Sequence, residues 1–166
     1  MASLPQDGPP RCKSVSLFAG IFDRAMGSQG ASSSIMNKSR ILIVDDDASI
    51  SKLVALLLTR TGQYEVFVEN RPFAAKAAAT NFHPDLILLD VDMPGLDGGQ
   101  VAAGFRADPR FAAVPIVFIT SLMPPSEAGR DAVMRGGMPF LSKPVNPGAL
   151  ERTIKRLLGK ECAVPS

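Results

Sequence analysis

The most constraining feature of the sequence is a fivefold alternation, beginning near residue 40, between short apolar runs and amphipathic segments. The apolar runs are rich in Val, Ile and Leu, which is typical of strands that are buried on both faces of a sheet. The segments between them place apolar residues three and four positions apart, as in a helix with one buried face. The predicted strands are residues 41–44, 64–68, 85–89, 115–119 and 140–141, and the predicted helices are residues 49–59, 72–81, 98–107, 126–135 and 147–158.

This alternation predicts an α/β domain built on one doubly wound, five-stranded parallel sheet. Strands that are joined by helices run parallel, with right-handed crossovers, and the helices cover both faces of the sheet. Sheets of this kind bind their ligands beyond the carboxyl ends of the strands. The residues that follow each predicted strand are therefore the first candidates for a functional site.

The first 38 residues differ in composition from the rest of the chain. They are rich in Gly, Ser and Pro and show no sustained hydrophobic period, which predicts a disordered N-terminal extension. Met26 and Met36 are possible later start points, so the sequence leaves open whether this extension is native. The predicted organisation is an extension over residues 1–38, a folded domain over residues 39–160 and a short tail over residues 161–166.

The charge distribution argues against a nucleic-acid-binding surface on the folded part. The net charge is +2, and residues 1–40 contain five Lys or Arg against two Asp or Glu. The remaining residues contain thirteen basic and fourteen acidic side chains, so the folded part is close to neutral. A basic patch of the kind that binds nucleic acid is therefore not predicted.

The cysteines and the apolar runs indicate a cytoplasmic protein. Cys12 and Cys162 show no metal-ligand spacing and do not form a disulfide framework, so both are predicted to be free thiols. No apolar run approaches the roughly 20 residues of a membrane-spanning helix. The run at residues 15–22 is short, is ended by two charged residues and is not followed by a clear cleavage site, which argues against a signal peptide.

Charged or hydroxyl-bearing residues follow four of the five predicted strands. They are Asp45, Asp46 and Asp47 after the first strand, Asp90 and Asp92 after the third, Thr120 and Ser121 after the fourth, and Lys143 after the fifth. Because the carboxyl ends of parallel strands meet at one edge of the sheet, we expect these side chains to converge.

Such a cluster predicts a specific chemistry. Several carboxylates at short range raise one another's pKa values and destabilise the fold unless a cation compensates them, and a site with only oxygen ligands favours Mg²⁺. Lys143 can pair with Asp90 or with a phosphoryl oxygen, and Thr120 can donate a hydrogen bond to the same oxygens. A carboxylate nucleophile, a magnesium site, a lysine and a hydroxyl are the groups that phosphorylation of an aspartate requires.

Four segments together resemble the receiver domains of two-component response regulators. They are ILIVDDD at residues 41–47, PDLILLDVDMPGLDG at residues 84–98, IVFITS at residues 116–121 and FLSKPV at residues 140–145. The resemblance covers about residues 39–158 and is closest to single-domain regulators of the chemotaxis type. It implies a flavodoxin-like (βα)5 fold with strand order 2-1-3-4-5.

The resemblance also implies the metal and acceptor roles of four aspartates. Asp45 and Asp46 are similar to the acidic pair that holds Mg²⁺, Asp46 directly and Asp45 largely through water. Asp90 is similar to the phosphoacceptor. Asp92 would offer its backbone carbonyl to the metal and point its side chain toward the phosphoryl site.

Three further residues match switch and charge positions of the family. Thr120 is similar to the hydroxyl residue that moves toward the phosphoryl group, and Lys143 to the lysine that contacts it, with a cis peptide bond expected between Lys143 and Pro144. Phe140 occupies the position of the aromatic switch residue, where a Phe in place of the more usual Tyr removes a hydroxyl.

Some residues depart from the family pattern, and others have simpler explanations. Residues 123–125 interrupt the start of the fourth predicted helix, and Thr120 and Lys143 are 23 positions apart, which is slightly long for the family. These departures concern the shape of the output face rather than the phosphorylation chemistry. Asp47 and Asp97 are predicted to be helix N-caps, and His83, in a turn before Pro84, is not predicted to carry a phosphoryl group.

The sequence leaves two other functions to weigh against this one. The run around Asp90 and Asp92 also resembles the DxD motif of haloacid-dehalogenase-like, magnesium-dependent phosphatases, but those enzymes place that motif on the first strand and the additional acids last. A degenerate receiver that acts only as a scaffold is disfavoured because no key residue is missing.

The predicted function is therefore a stand-alone receiver rather than an enzyme. It would accept a phosphoryl group onto Asp90 from a sensor histidine kinase or a histidine phosphotransfer protein, in a Mg²⁺-dependent reaction that the receiver itself catalyses. Phosphorylation would then change a face that binds a downstream protein, formed by the fourth helix, the fifth strand and the fifth helix. The sequence does not identify the kinase, the partner or the oligomeric state, nor does it distinguish a shuttle, an effector and a phosphate sink.

Overall fold

The computed structural model describes residues 38–124 and 131–159, and they form one mostly parallel sheet with helices on both faces. The elements are β1 (Ser39–Val44), α1 (Ala48–Thr59), β2 (Tyr64–Glu69), a 3-10 turn (Pro72–Ala74), α2 (Ala75–Phe82), β3 (Leu86–Asp90), α3 (Gly98–Arg106), β4 (Ile116–Thr120), β5 (Val133–Arg135), β6 (Met138–Ser142) and α4 (Pro147–Leu157). The predictions for residues 1–37 and 160–166, including both cysteines, fall outside the described residues.

The sheet has the strand order β2-β1-β3-β4-β6-β5. Neighbouring strands from β2 to β6 pair in parallel, and among the described strands only β5 runs antiparallel to its neighbour. The predicted fold class is thus confirmed: a doubly wound, flavodoxin-like sheet in which the five predicted strands have the order 2-1-3-4-5. The sheet contains one strand more than predicted, the short edge strand β5.

The prediction of a helix over residues 126–135 is wrong where the structure describes this segment. Val133–Arg135 is a strand that pairs with β6, with Val133 opposite Phe140 and Arg135 opposite Met138. Gly136 and Gly137 have φ angles of 56° and 79°, as a two-residue hairpin turn of type I′ requires. Gly136 and Gly137 therefore form the turn of a β-hairpin rather than the end of a helix. Residues 125–130 fall outside the described residues.

The helices divide the hydrophobic core into two layers. Alternate residues of β1, β3 and β4 face α2 and α3 on one side, where Phe105 and Phe118 are among the largest buried side chains. The other alternate residues face α1 and α4, where Leu150 and Ile154 are buried. Every residue of β3 and β4 is buried, which explains why these strands lack the alternation of a half-exposed strand.

The helix starts agree with the predicted caps. The Asp47 carboxylate accepts hydrogen bonds from the backbone N–H groups of Ser49 and Ile50, and the Asp97 carboxylate accepts one from Gly99 within a capping box. His83 has a φ of 52° and ends α2 in the left-handed conformation, in agreement with its predicted turn role. Within the described residues, no helix combines the length and the apolar composition that crossing a bilayer would require.

Candidate functional site

The carboxyl ends of β1 and β3 bring three aspartates together. These two strands are neighbours in the sheet, with Val44 paired to Leu89, so Asp45 and Asp90 emerge side by side. Asp45, Asp46 and Asp90 each offer a carboxylate oxygen within 4.8 Å of the other two. Asp45 and Asp90 are both 2% exposed, whereas Asp46 is exposed. The cluster thus has two buried carboxylates and one that faces solvent.

Lys143 reaches the same cluster from the end of β6. Its Nζ is 3.0 Å from Asp45 Oδ2 and 3.1 Å from Asp90 Oδ2, and its side chain is largely buried. Its backbone N–H donates a 2.8 Å hydrogen bond to the Thr120 carbonyl, which ties this loop to the end of β4. The peptide bond between Lys143 and Pro144 is cis, as expected. We call the group Asp45, Asp46, Asp90, Asp92, Thr120 and Lys143 the acidic cleft.

Burial and ion pairing act in opposite directions on the charges of the cleft. Burial raises the pKa of Asp45 above its ordinary value, although the hydrogen bonds from Lys143 and from the Asp47 backbone partly offset this effect. Burial alone would lower the pKa of Lys143, but the hydrogen bonds and charges of Asp45 and Asp90 outweigh it and raise that pKa. Lys143 therefore stays charged while it bridges two carboxylates.

The three clustered carboxylates outnumber the ammonium group that bridges two of them. Such a site favours an additional cation, and one with only oxygen donors suits a hard ion such as Mg²⁺. Asp46 is exposed and makes an accessible ligand, and Asp45 and Asp90 lie within reach of the same point. The donor set therefore fits the magnesium ion that the sequence predicts.

Thr120 and Asp92 form a hydrogen-bonded pair at the edge of the cleft. The Thr120 hydroxyl, on a residue that is 5% exposed, donates to Asp92 Oδ2 over 3.2 Å and accepts from the Leu122 backbone N–H over 3.0 Å. The Asp92 backbone N–H is 3.4 Å from Asp90 Oδ1, so Asp92 lies close to the predicted acceptor. That the Asp92 side chain points toward the phosphoryl site stays a prediction.

Phe140 lies on the sheet next to the strand that ends in Thr120. Its ring stacks on Phe118 with a centroid distance of 4.8 Å and an interplanar angle of 18°. Phe118 and Thr120 are two residues apart on β4, so their side chains point to the same face of the sheet. The half-buried Phe140 therefore shares a face with Thr120, and its switch role stays a prediction.

Two supporting residues were not identified from the sequence. The Asn70 amide donates to the Asp45 carbonyl over 2.6 Å and to the Ser51 hydroxyl over 3.0 Å, which holds the loop after β1 in place. Its position directly after β2, beside β1 in the sheet, was the available signal. Gly98 packs against the Asp90 carbonyl so closely that a Cβ there would lie 2.2 Å from that oxygen.

Comparisons with known proteins place these observations in a family. Residues 41–155 match the family model described as the response regulator receiver domain. The DNA-binding dual master transcriptional regulator RpaA of Synechocystis is 34% identical over 128 residues, which are 76% of this chain and 52% of that protein. The DNA-binding response regulator MtrA of Mycobacterium tuberculosis is 31% identical over 78% of this chain and 54% of its own length. The chain thus spans about half the length of these curated relatives.

Solved structures agree with the sequence relatives. The chemotaxis protein CheY4 of Vibrio cholerae aligns with a TM-score of 0.61 and 28% identity over 72% of this chain and 98% of that one. A putative response regulator from Chloroflexus aurantiacus aligns with a TM-score of 0.63 and 29% identity over 74% of this chain and 98% of that one. The matched family is that of receiver domains, which act as phosphorylation-dependent switches and bind Mg²⁺ at an acidic pocket. The family match therefore favours a receiver over the phosphatase alternative. The acidic cleft lies within the matched residues, and the chain belongs to the response regulator receiver domain family of two-component signalling.

Proposed function

We propose that this chain accepts a phosphoryl group on Asp90 from a phosphohistidine donor and thereby switches a protein-binding face. The observation that supports the acceptor role is the position of Asp90: it ends a central strand, is almost fully buried, and has its Oδ2 3.1 Å from Lys143 Nζ beside two further aspartates. A carboxylate in this place is desolvated enough to act as a nucleophile and is oriented by a fixed cation.

The transfer itself is a substitution at phosphorus. An Asp90 carboxylate oxygen forms the new P–O bond while the P–N bond to the donor imidazole breaks, and the imidazole takes a proton from solvent. Lys143 binds an oxygen of the transferred group and compensates its charge. Thr120 is placed to donate its hydroxyl hydrogen to another of those oxygens after a small movement. The chain is modified once per cycle, so it acts as a switch rather than as an enzyme that turns over a substrate.

We propose that Mg²⁺ is the ion of this site. Asp45, Asp46 and Asp90 would hold it with their carboxylates and Asp92 with its backbone carbonyl. When bound, the ion would neutralise charge on the phosphoryl oxygens. The residues of the cleft supply the remaining functions: Asp90 the nucleophile, Lys143 the second positive charge, and Thr120 the hydrogen bond.

We propose that the phosphohistidine donor docks on α1. A cavity of about 370 Å³ lies between α1 and the loop after β6, and Leu53, Leu57 and Lys143 are among the residues that line it. Leu53 is 58% exposed, which leaves an apolar side chain available to a partner. Because Lys143 lines this cavity and also contacts Asp90, a donor seated there lies beside the acceptor. A sensor histidine kinase or a histidine phosphotransfer protein is therefore the expected occupant.

We propose that the signal passes to a downstream protein rather than to nucleic acid. In this structure Thr120 ends β4, which lies next to β6 and the edge strand β5, and β5 occupies residues for which a helix was predicted. Residues 41–166 contain thirteen basic and fourteen acidic side chains, so the folded part is not expected to carry a basic patch that binds nucleic acid. We accordingly expect the 166-residue chain, phosphorylated or not, to leave the mobility of duplex DNA unchanged in a gel. The domain boundaries and the cytoplasmic location stay predictions.

The central experiment is an intact-mass measurement after incubation with acetyl phosphate and Mg²⁺. The wild-type chain is expected to gain the mass of one phosphoryl group, and the gain should disappear in Asp90→Asn and on addition of a chelator. Asp131→Asn is the matched control, since Asp131 is an exposed aspartate whose carboxylate pairs with Arg152 outside the cleft. Persistence of the adduct in Asp90→Asn would refute the acceptor assignment. Absence of any adduct, with a cognate kinase as well, would support the scaffold alternative.

A further inference from the structure

The hydroxyl of Thr120 has one hydrogen, and in this structure that hydrogen is engaged. It points to Asp92 Oδ2 at 3.2 Å, while the Leu122 backbone N–H donates to the hydroxyl oxygen at 3.0 Å. The hydroxyl is therefore oriented from both sides. It is free to donate to any other acceptor only after it leaves Asp92.

A phosphoryl group on Asp90 would compete for this hydrogen. Asp92 is two residues from Asp90, and its backbone N–H lies 3.4 Å from Asp90 Oδ1, so both acceptors would lie within a short movement of the Thr120 hydroxyl. The phosphoryl oxygens and the Asp92 carboxylate are both anionic, and a hydrogen bond to a charged acceptor is stronger than one to a neutral acceptor. The competition is thus between two acceptors of similar kind.

We propose that the Asp92 carboxylate is a positioning residue that restrains Thr120 and opposes switching. This inference rests on the proposed phosphoryl acceptance by Asp90. Without the phosphoryl group, Asp92 holds the Thr120 hydroxyl away from the acceptor. With the group present, Thr120 transfers its hydrogen bond to a phosphoryl oxygen, and the Asp92 carboxylate turns to solvent, because Asp92 is an exposed residue. The strength of the Asp92 bond therefore contributes to the equilibrium between the two states.

The test uses beryllium fluoride with Mg²⁺ as a non-covalent mimic of the phosphoryl group. Its dissociation constant is measured by titration for the wild type, Asp92→Asn and Asp92→Ala. A net hydrogen bond of about 0.5–1.5 kcal/mol corresponds to about a twofold to tenfold change in binding. We expect Asp92→Ala to bind the mimic more tightly by that factor. Asp92→Asn should lie between it and the wild type, since the amide oxygen still accepts a hydrogen bond but without charge.

A double-mutant cycle separates the restraint from simple charge repulsion. Removing the Asp92 carboxylate also removes its repulsion of the mimic, and that effect should persist in a Thr120→Val background. The restraint predicts that Asp92→Ala tightens binding by about twofold to tenfold more in the Thr120 background than in the Thr120→Val background. Equal effects in the two backgrounds would overturn the proposal.

Two measurements without the mimic keep the inference separate from the acceptor function. In the unliganded protein, Asp92→Ala should shift the NMR signal of the Thr120 methyl group. If the wild type binds the mimic, this shift should be toward the position of the signal in the mimic-bound wild type. The unfolding midpoints of the two single variants and the double variant should also be non-additive. If wild-type protein binds neither phosphoryl group nor mimic, the proposed function fails while these two measurements still test the restraint. An unmoved methyl signal together with additive midpoints would refute the restraint alone.

Discussion

Gly98 and Gly104 allow a matched test of how tightly the acceptor loop is packed. Both belong to α3, but a Cβ at Gly98 would lie 2.2 Å from the Asp90 carbonyl oxygen and 2.9 Å from Val91 Cα, whereas a Cβ at Gly104 would meet nothing within 4 Å. The obstructing atoms at Gly98 are backbone, so no side chain can rotate away. The start of α3 or the end of β3 would have to move by several tenths of an ångström or more.

The two alanine substitutions are expected to have opposite signs. Gly104→Ala should stabilise the protein by about 0.5–1 kcal/mol, because Gly in a helix interior costs about that much relative to Ala. Gly98→Ala should destabilise it by about 1–3 kcal/mol, the usual cost of forcing extra volume into a packed site, reduced only slightly by the gain in helix propensity. The same shift would displace Asp90, so phosphorylation by acetyl phosphate should slow in Gly98→Ala and be unchanged in Gly104→Ala.

Urea denaturation at constant slope measures the two stabilities, and intact mass against time measures the phosphorylation rates. A Gly98→Ala protein that is as stable as the wild type would refute the argument, since the loop would then be able to yield at no cost. A Gly98→Ala protein that is destabilised but phosphorylated at the wild-type rate would show that the packing supports the fold and does not position the acceptor.

Three further predictions concern the metal, the donor and the lifetime of the phosphorylated state. Mg²⁺ at about 100 times its dissociation constant should raise the free energy of unfolding of the wild type by about 2.7 kcal/mol, measured by thermal unfolding. Asp46→Asn should lose most of this stabilisation, and equal stabilisation of both proteins would show that the ion binds elsewhere. Leu53→Asp should slow phosphotransfer from a phosphorylated histidine kinase about tenfold or more, without changing the rate of phosphorylation by acetyl phosphate. Leu56→Asp is the control and should change neither rate, because Leu56 is similarly exposed on α1 but lies outside the cavity. Similar slowing in both variants would refute the docking site. The phosphorylated wild type should lose its phosphoryl group slowly, because apolar Leu122 obstructs the attacking water. Leu122→Ala should therefore speed this hydrolysis about threefold or more. A wild-type half-life of seconds that Leu122→Ala leaves unchanged would refute the role of Leu122.

The sequence predicted the parts of the fold that depend on local patterns. Runs such as β3 and β4 are buried on both faces, so their composition alone identified them as strands. The caps Asp47 and Asp97 were predictable because capping depends on residues only two or three positions away. Because the carboxyl ends of parallel strands meet at one edge of the sheet, the sequence also predicted that Asp45, Asp90 and Lys143 lie together there.

The prediction for residues 131–135 failed because a short apolar segment is compatible with both a helix and a strand. The strand conformation is favoured by pairing with β6, where Val133 lies opposite Phe140, and by the two glycines that adopt positive φ in the turn. Contacts between residues that are far apart along the chain were not predicted from the sequence either. Asn70 lies 25 residues from the Asp45 carbonyl that it supports, and no local pattern distinguishes it from a surface asparagine.

The extra strand changes how a movement of Thr120 can reach the surface. Thr120 pairs with Ser142 on β6, and two residues earlier Phe118 pairs with Phe140 and stacks on its ring. Phe140 in turn pairs with Val133 on β5, so β4, β6 and β5 form one hydrogen-bonded unit from the cleft to the edge of the sheet. Since packed side chains and sheet hydrogen bonds resist gradual deformation, a displacement at Thr120 should move this unit as a body rather than dissipate in a loop. The surface that reports phosphorylation is therefore expected to include the hairpin formed by β5 and β6.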